Sequence, residues 1–135
     1  MTRINVVPEQ ELTPEHLSGE FHEITRPFTL VREAVAKGKS PGDYIYPEDY
    51  KLGRGHVTFF YNRLQYISTR YLKLGMELRY RALKSGRPSS CNLQMVLKVI
   101  ADARRDIPEE WWGDYTPTDN AITINRERIR ERLDD

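Results

Sequence analysis

The sequence contains one cysteine, Cys91, so no disulfide can close within the chain and a multi-cysteine zinc site is excluded. No apolar run approaches the roughly 18 residues that a membrane-spanning helix needs. The first 20 residues also lack the apolar stretch of a signal peptide. These absences point to a reducing, cytoplasmic setting. There is no Gly-rich phosphate loop, no Gly-x-Ser-x-Gly elbow and no closely spaced set of metal ligands. The three histidines, His16, His22 and His56, form no two-His helical motif. Neither a metal nor a cofactor is expected.

The 135 residues are 39% hydrophobic and 30% charged, a globular composition with room for one core and little for a second. A single domain over residues 1–135 is therefore expected. The net charge of +1 hides an uneven distribution. Residues 51–87 carry nine Lys/Arg against one acid, Glu77, whereas residues 1–50 and 88–135 are both acidic. Such a block suits a phosphate-facing surface. It reads equally well as a solvated helix face.

Apolar spacing predicts helices throughout. Thr13 before Pro14 is a helix start, an N-cap hydroxyl followed by proline in the first turn. Leu17, Phe21, Ile24, Phe28, Val31 and Val35 then recur at spacings of four and three, giving one buried stripe that runs to Gly38. Pro27 lies inside this run and should kink the helix or displace a hydrogen bond. Residues 39–61, with two prolines at 41 and 47, Gly53, Gly55 and the aromatics Tyr44, Tyr46, Tyr50 and Tyr61, form an irregular connection. A second helix is predicted from about Asn62 to Ser85, with Leu64, Ile67, Tyr71, Leu74 and Leu78 inside and Arg63, Arg70, Lys73, Arg81 and Lys84 largely off that stripe. A short helix follows over Leu93–Ala103, capped by Asn92, and a terminal helix runs from Thr118 to about Leu133. The fold class is all-α: a compact domain of three main helices, a short extra one and long ordered loops.

On the first helix, Glu20 falls at the edge of the apolar stripe and leans towards a structural role, whereas His16 and Glu23 share a polar flank. His22 and Arg26 point nearly opposite the stripe. A carboxylate among imidazole and guanidinium groups suits acid/base work; an ordinary helix surface explains the same spacing. The amino terminus adds a second candidate. Thr2 after Met1 permits removal of the initiator, which exposes an α-amine of ordinary pKa about 7.7–8.0, partly neutral and nucleophilic at physiological pH. Such an amine can form a Schiff base. A disordered terminus is the plain alternative.

Together these residues resemble the phage endonuclease V family of pyrimidine-dimer DNA glycosylases with AP-lyase activity. The resemblance is carried by Met1-Thr2-Arg3-Ile4-Asn5, His16-Leu17, Glu20-Phe21-His22-Glu23 with Arg26, and Leu52-Gly53-Arg54-Gly55-His56-Val57-Thr58-Phe59-Phe60-Tyr61. It resumes at Asp106-Ile107-Pro108 and Gly113-Asp114-Tyr115-x-Pro117 and extends into the last helix. It implies a helical fold with the amino terminus lying against the first helix in a DNA-binding groove. It also implies roles: Thr2 as the amine nucleophile, Glu23 as the carboxylate of both chemical steps, and His16 in support of the imine chemistry. Arg3, His22, Arg26, Arg128 and Arg132 would contact DNA. The expected partner is damaged double-stranded DNA, bound by a monomer, with no membrane and no metal.

Three departures bear on the substrate. His22 stands where arginine is usual, the stretch from Tyr61 to Asp106 is longer, and no aromatic tail follows the last helix. Trp111-Trp112 would be the substitute stacking surface, or else core packed against the terminal helix. The same chemistry on another damaged base or on abasic sites alone, and a DNA-binding module without catalysis, remain as alternatives. His56 and Phe59-Phe60-Tyr61 read as scaffold, and Cys91 as a small apolar filler.

Overall fold

The computed structural model describes residues 2–89 and 91–134. Among them there are five α-helices and no strand: α1 (Pro14–Glu23), α2 (Arg26–Ala36), α3 (Leu64–Ser85), α4 (Leu93–Asp106) and α5 (Asp119–Asp134). None is long and apolar enough to cross a membrane.

The long first helix of the sequence reading resolves into α1 and α2, broken at Ile24–Thr25. Pro27 is the cause. It has no N–H to return to the Glu23 carbonyl, but in the first turn of a new helix that missing donor costs nothing. The stripe survives the break: Leu17, Phe21, Ile24, Phe28 and Val31 are all buried. Glu23 consequently becomes the last residue of α1, at a corner of the fold.

The expected caps are present. Thr13 Oγ1 accepts from His16 N–H at 3.2 Å, Asn92 Oδ1 from Met95 N–H at 3.2 Å and Thr118 Oγ1 from Ala121 N–H at 3.0 Å. The start of α3 moves to Leu64, because Arg63 makes a bridge to Trp112, and Gly113 N–H bonds the Asn62 carbonyl at 3.1 Å. α4 runs to Asp106, one turn beyond the expected end. α3 is the central element, packed on α1, α2 and α4. Gly75 of α3 lies against Phe21 and the buried Cys91, so the close crossing there depends on a missing side chain.

The connection from α2 to α3 carries an aromatic cluster. Tyr50, Phe59 and Phe60 are fully or nearly fully buried, and Tyr66 and Tyr115 pack on Phe60. Trp111 and Trp112 are core residues rather than an exposed surface. Their aromatic partners are Tyr44 and Phe28, and Arg104 lies 4.3 Å from the Trp112 ring.

Candidate active site

Residues 3–7 join neither helix nor strand, so their backbone polar groups need side-chain partners. Four separate elements supply them. From the corner of α1, Glu23 Oε2 accepts the Arg3 N–H at 3.1 Å. His56 Nε2 accepts the Ile4 N–H, and the Tyr50 hydroxyl donates to the Ile4 carbonyl, both at 2.8 Å. Asn125 of α5 accepts from Val6 N–H at 2.7 Å and from Val7 N–H at 3.1 Å. Arg70 of α3 donates to the Val7 carbonyl at 2.6 Å.

Behind this segment lies a closed polar network. The Asn125 amide donates to Asn5 Oδ1, and the Asn5 amide donates to Glu20 Oε1. Glu20 in turn takes two hydrogen bonds from Arg70, at 2.9 and 3.0 Å, with both side chains at most 4% exposed. Burial alone would pull the Arg70 guanidinium down, but the Glu20 and Glu9 carboxylates outweigh it and hold it above its ordinary value. Arg70, expected off the buried stripe with the basic block, is therefore an internal residue. Arg63 lies over the Phe59 ring at 3.9 Å, and Arg81 donates to the Glu9 carbonyl. Three of the nine positive residues in that block thus serve the fold.

In front of the network lies a pocket of about 340 Å³ lined by Arg3, Asn5, His16, Glu20, Glu23 and Arg132, among others. It gathers much of the expected site: Arg3, His16, Glu23 and Arg132 share it, and Thr2 is half-buried one residue upstream of the Glu23 contact. Arg128 is close enough to act on Arg3. Burial first, then the Arg128 and Arg132 charges, push the Arg3 guanidinium below its ordinary value. The pocket is mixed in charge: Arg3 and Arg132 line it beside the Glu15 and Glu23 carboxylates, while Arg128, close by, pairs with Glu131 at 3.3 Å. Two polar atoms here, His16 Nδ1 and Arg128 Nε, are buried without a hydrogen-bond partner among the described residues.

His22 and Arg26 do not line this pocket. Both are exposed; the His22 ring meets Phe21 edge-on at 5.5 Å. The removal of Met1 concerns a residue outside those described. A larger groove of about 1000 Å³, between residues 6–10, α3 and residues 114–117, shares no lining residue with the site pocket. Glu20 lines the pocket and Arg70 the groove, so their ion pair sits at the wall between the two. Sequence reasoning did not foresee the roles of Tyr50, Arg70 and Asn125 as holders of the amino-terminal segment, since each lies far along the chain from the residue it holds.

The fold is thus all-helical, with arginines, carboxylates and a histidine gathered in one pocket beside the amino terminus. A sequence model of the family described as pyrimidine dimer DNA glycosylase matches residues 1–89, about two thirds of the chain. The chain belongs to this family of DNA-repair glycosylases.

Proposed function

We propose that the protein cleaves an N-glycosidic bond of UV-induced cyclobutane pyrimidine dimers in double-stranded DNA and then nicks the strand, using the α-amine of Thr2 as nucleophile. The reading rests on the family assignment and on one contact above all: the Arg3 N–H to Glu23 hydrogen bond, which ties the residue next to Thr2 to a carboxylate. With Met1 removed, the amine nitrogen bonds to C1′ of the damaged nucleotide as the glycosidic bond breaks. The pyrimidine separates from C1′ with the bonding pair, takes up a proton and stays tethered through the other base of the dimer. The nitrogen lone pair then opens the C1′–O4′ bond, the amine proton passes to O4′, and an imine results. Loss of a C2′ proton expels the 3′ phosphate, and water hydrolyses the imine to return the amine.

Glu23 stabilises the sugar cation and moves the proton at C2′, with His16 in support. Arg3, Arg128 and Arg132 bind phosphates beside the pocket, and His22 and Arg26 extend the contact along the exposed end of α1 and start of α2. Reaching a dimer inside a duplex requires unstacking, which those phosphate contacts offset. The chain acts as one domain and as a monomer, without metal or cofactor.

Borohydride trapping tests this on two duplexes, one with a cis-syn thymine dimer and one with an abasic site, with peptide mapping of the adduct. A crosslink at Thr2 on both is the expected result. Trapping on the abasic duplex alone moves the substrate to another lesion. No adduct on either, with a free Thr2 amine verified, sinks the imine reading.

A further inference from the structure

We propose that His56 is a positioning residue for the amino-terminal nucleophile, holding the Ile4 peptide in place with Tyr50 as its partner. The inference rests on the reading of Thr2 given above. Ile4 is the first residue after the Arg3–Glu23 contact, and both its backbone polar groups are taken by one loop: the N–H by His56 Nε2 and the carbonyl by the Tyr50 hydroxyl, each at 2.8 Å. Ile4, Tyr50 and His56 are 0%, 2% and 6% exposed, so water does not compete for these bonds.

The loop is built to present one form of the imidazole. His56 Nδ1 lies 2.8 Å from the Lys51 carbonyl, which requires the proton on Nδ1 and leaves the Nε2 lone pair for the Ile4 N–H. Gly53 and Gly55, at φ of 74° and 91°, make the tight turn that returns Lys51 to the ring. The His56 N–H closes that turn on the Gly53 carbonyl at 3.1 Å. The Tyr50 and Phe60 rings meet the imidazole edge-on at 5.3 and 6.1 Å and fix its plane.

The step from scaffold to positioning is one of lever length. Thr2 lies two residues from Ile4, about 7 Å along an extended chain, so a small rotation of the Ile4 peptide moves the amine by about 1 Å. A misplacement of that size costs on the order of 100-fold in rate. The Ile4 side chain stays in the core regardless, so losing the two bonds shifts the segment without releasing it.

The test is the single-turnover rate of borohydride trapping on an abasic duplex at saturating DNA, with DNA affinity measured separately. His56→Phe keeps a ring in the aromatic cluster and deletes both imidazole bonds; it should trap on the order of 100-fold more slowly with affinity little changed. His56→Gln offers an acceptor and a donor and should recover much of that rate. Tyr50→Phe deletes only the hydroxyl and should lose about 3- to 10-fold. Wild-type trapping by folded His56→Phe, or a loss confined to affinity, overturns the proposal. Should His56→Phe not fold, a wild-type rate in Tyr50→Phe overturns it instead. Failure of the wild-type protein itself to trap is a different result, removing the imine reading and the proposal with it.

Discussion

Glu20 and Glu23 lie three residues apart on α1, carry the same charge and line the same pocket, yet the fold treats them in opposite ways. Glu20 is 3% exposed and takes hydrogen bonds from Asn5 and from two nitrogens of Arg70. Glu23 is exposed and takes one backbone N–H. A carboxylate whose oxygens are already engaged by a buried guanidinium and amide is a joint of the scaffold. One held by a single donor at a helix corner keeps lone pairs for substrate and for protons.

The widest separation between the two should appear in rate. Glu23→Gln keeps an oxygen that can accept the Arg3 N–H, so the geometry persists while the charge and the proton acceptor are lost. Single-turnover nicking of a dimer-containing duplex should fall by about 10²- to 10⁴-fold, with the melting temperature essentially unchanged. Near-wild-type nicking would remove Glu23 from the chemistry.

Glu20 should respond the other way. Glu20→Ala removes the two short carboxylate contacts of a buried guanidinium, leaving it Glu9 at 3.7 Å, and should cost about 3–5 kcal/mol in urea unfolding, a fall in Tm on the order of 15 °C. Replacing the pair together, with Glu20→Met and Arg70→Met, should return part of that loss, because the buried guanidinium goes with its main partner and only the Glu9 carboxylate, 11% exposed, loses a contact. A Glu20→Ala protein as stable as wild type would show that the pair does not hold α1 to α3.

The contrast was only half legible in the sequence, and the reason is range. Helix stripes and caps are local: Leu17 to Val31 on one face, and Thr13, Asn92 and Thr118 as caps, follow from spacing within a few residues. Spacing also put Glu20 at the edge of the buried stripe. It could not supply Arg70, 50 residues away, or the Asn5–Asn125 contact across 120 residues. Arg70 sits in a run of positive residues that reads as exposed, whether phosphate-facing or solvated, and only the packing of α3 on α1 turns it inward. The grouping of Arg3, His16, Glu23 and Arg132 came from family resemblance, since nothing local links residue 3 to residue 132. Trp111 and Trp112 read correctly as core, and their ring and cation partners are Tyr44, Phe28 and Arg104.

His56 sharpens the comparison from the far side of the amino-terminal segment, because it too is buried and bonded on both sides, but as a base kept neutral. Burial first, then the nearby Arg3 charge, lower its pKa, against the opposing effect of the Lys51 carbonyl; Tyr50, whose own pKa burial raises, is the other titratable group facing it. With the folded value below the ordinary imidazole value of about 6.5, the unfolded chain takes up the proton first as the pH falls. The stability His56 contributes is therefore complete above that value and erodes as the pH drops through it. The erosion ends once the pH passes below the folded value, with a slope of at most about 1.4 kcal/mol per pH unit. His56→Gln has no such titration, while His16 and His22 are common to both proteins and cancel in the difference. Urea unfolding between about pH 7.5 and 5.5 should show the stability of wild type, relative to His56→Gln, nearly level at first and then shrinking as the pH falls through about 6.5. A difference that stays constant over that range would mean that the imidazole is not held neutral against Ile4, and the clamp on the amino terminus would lose its acceptor.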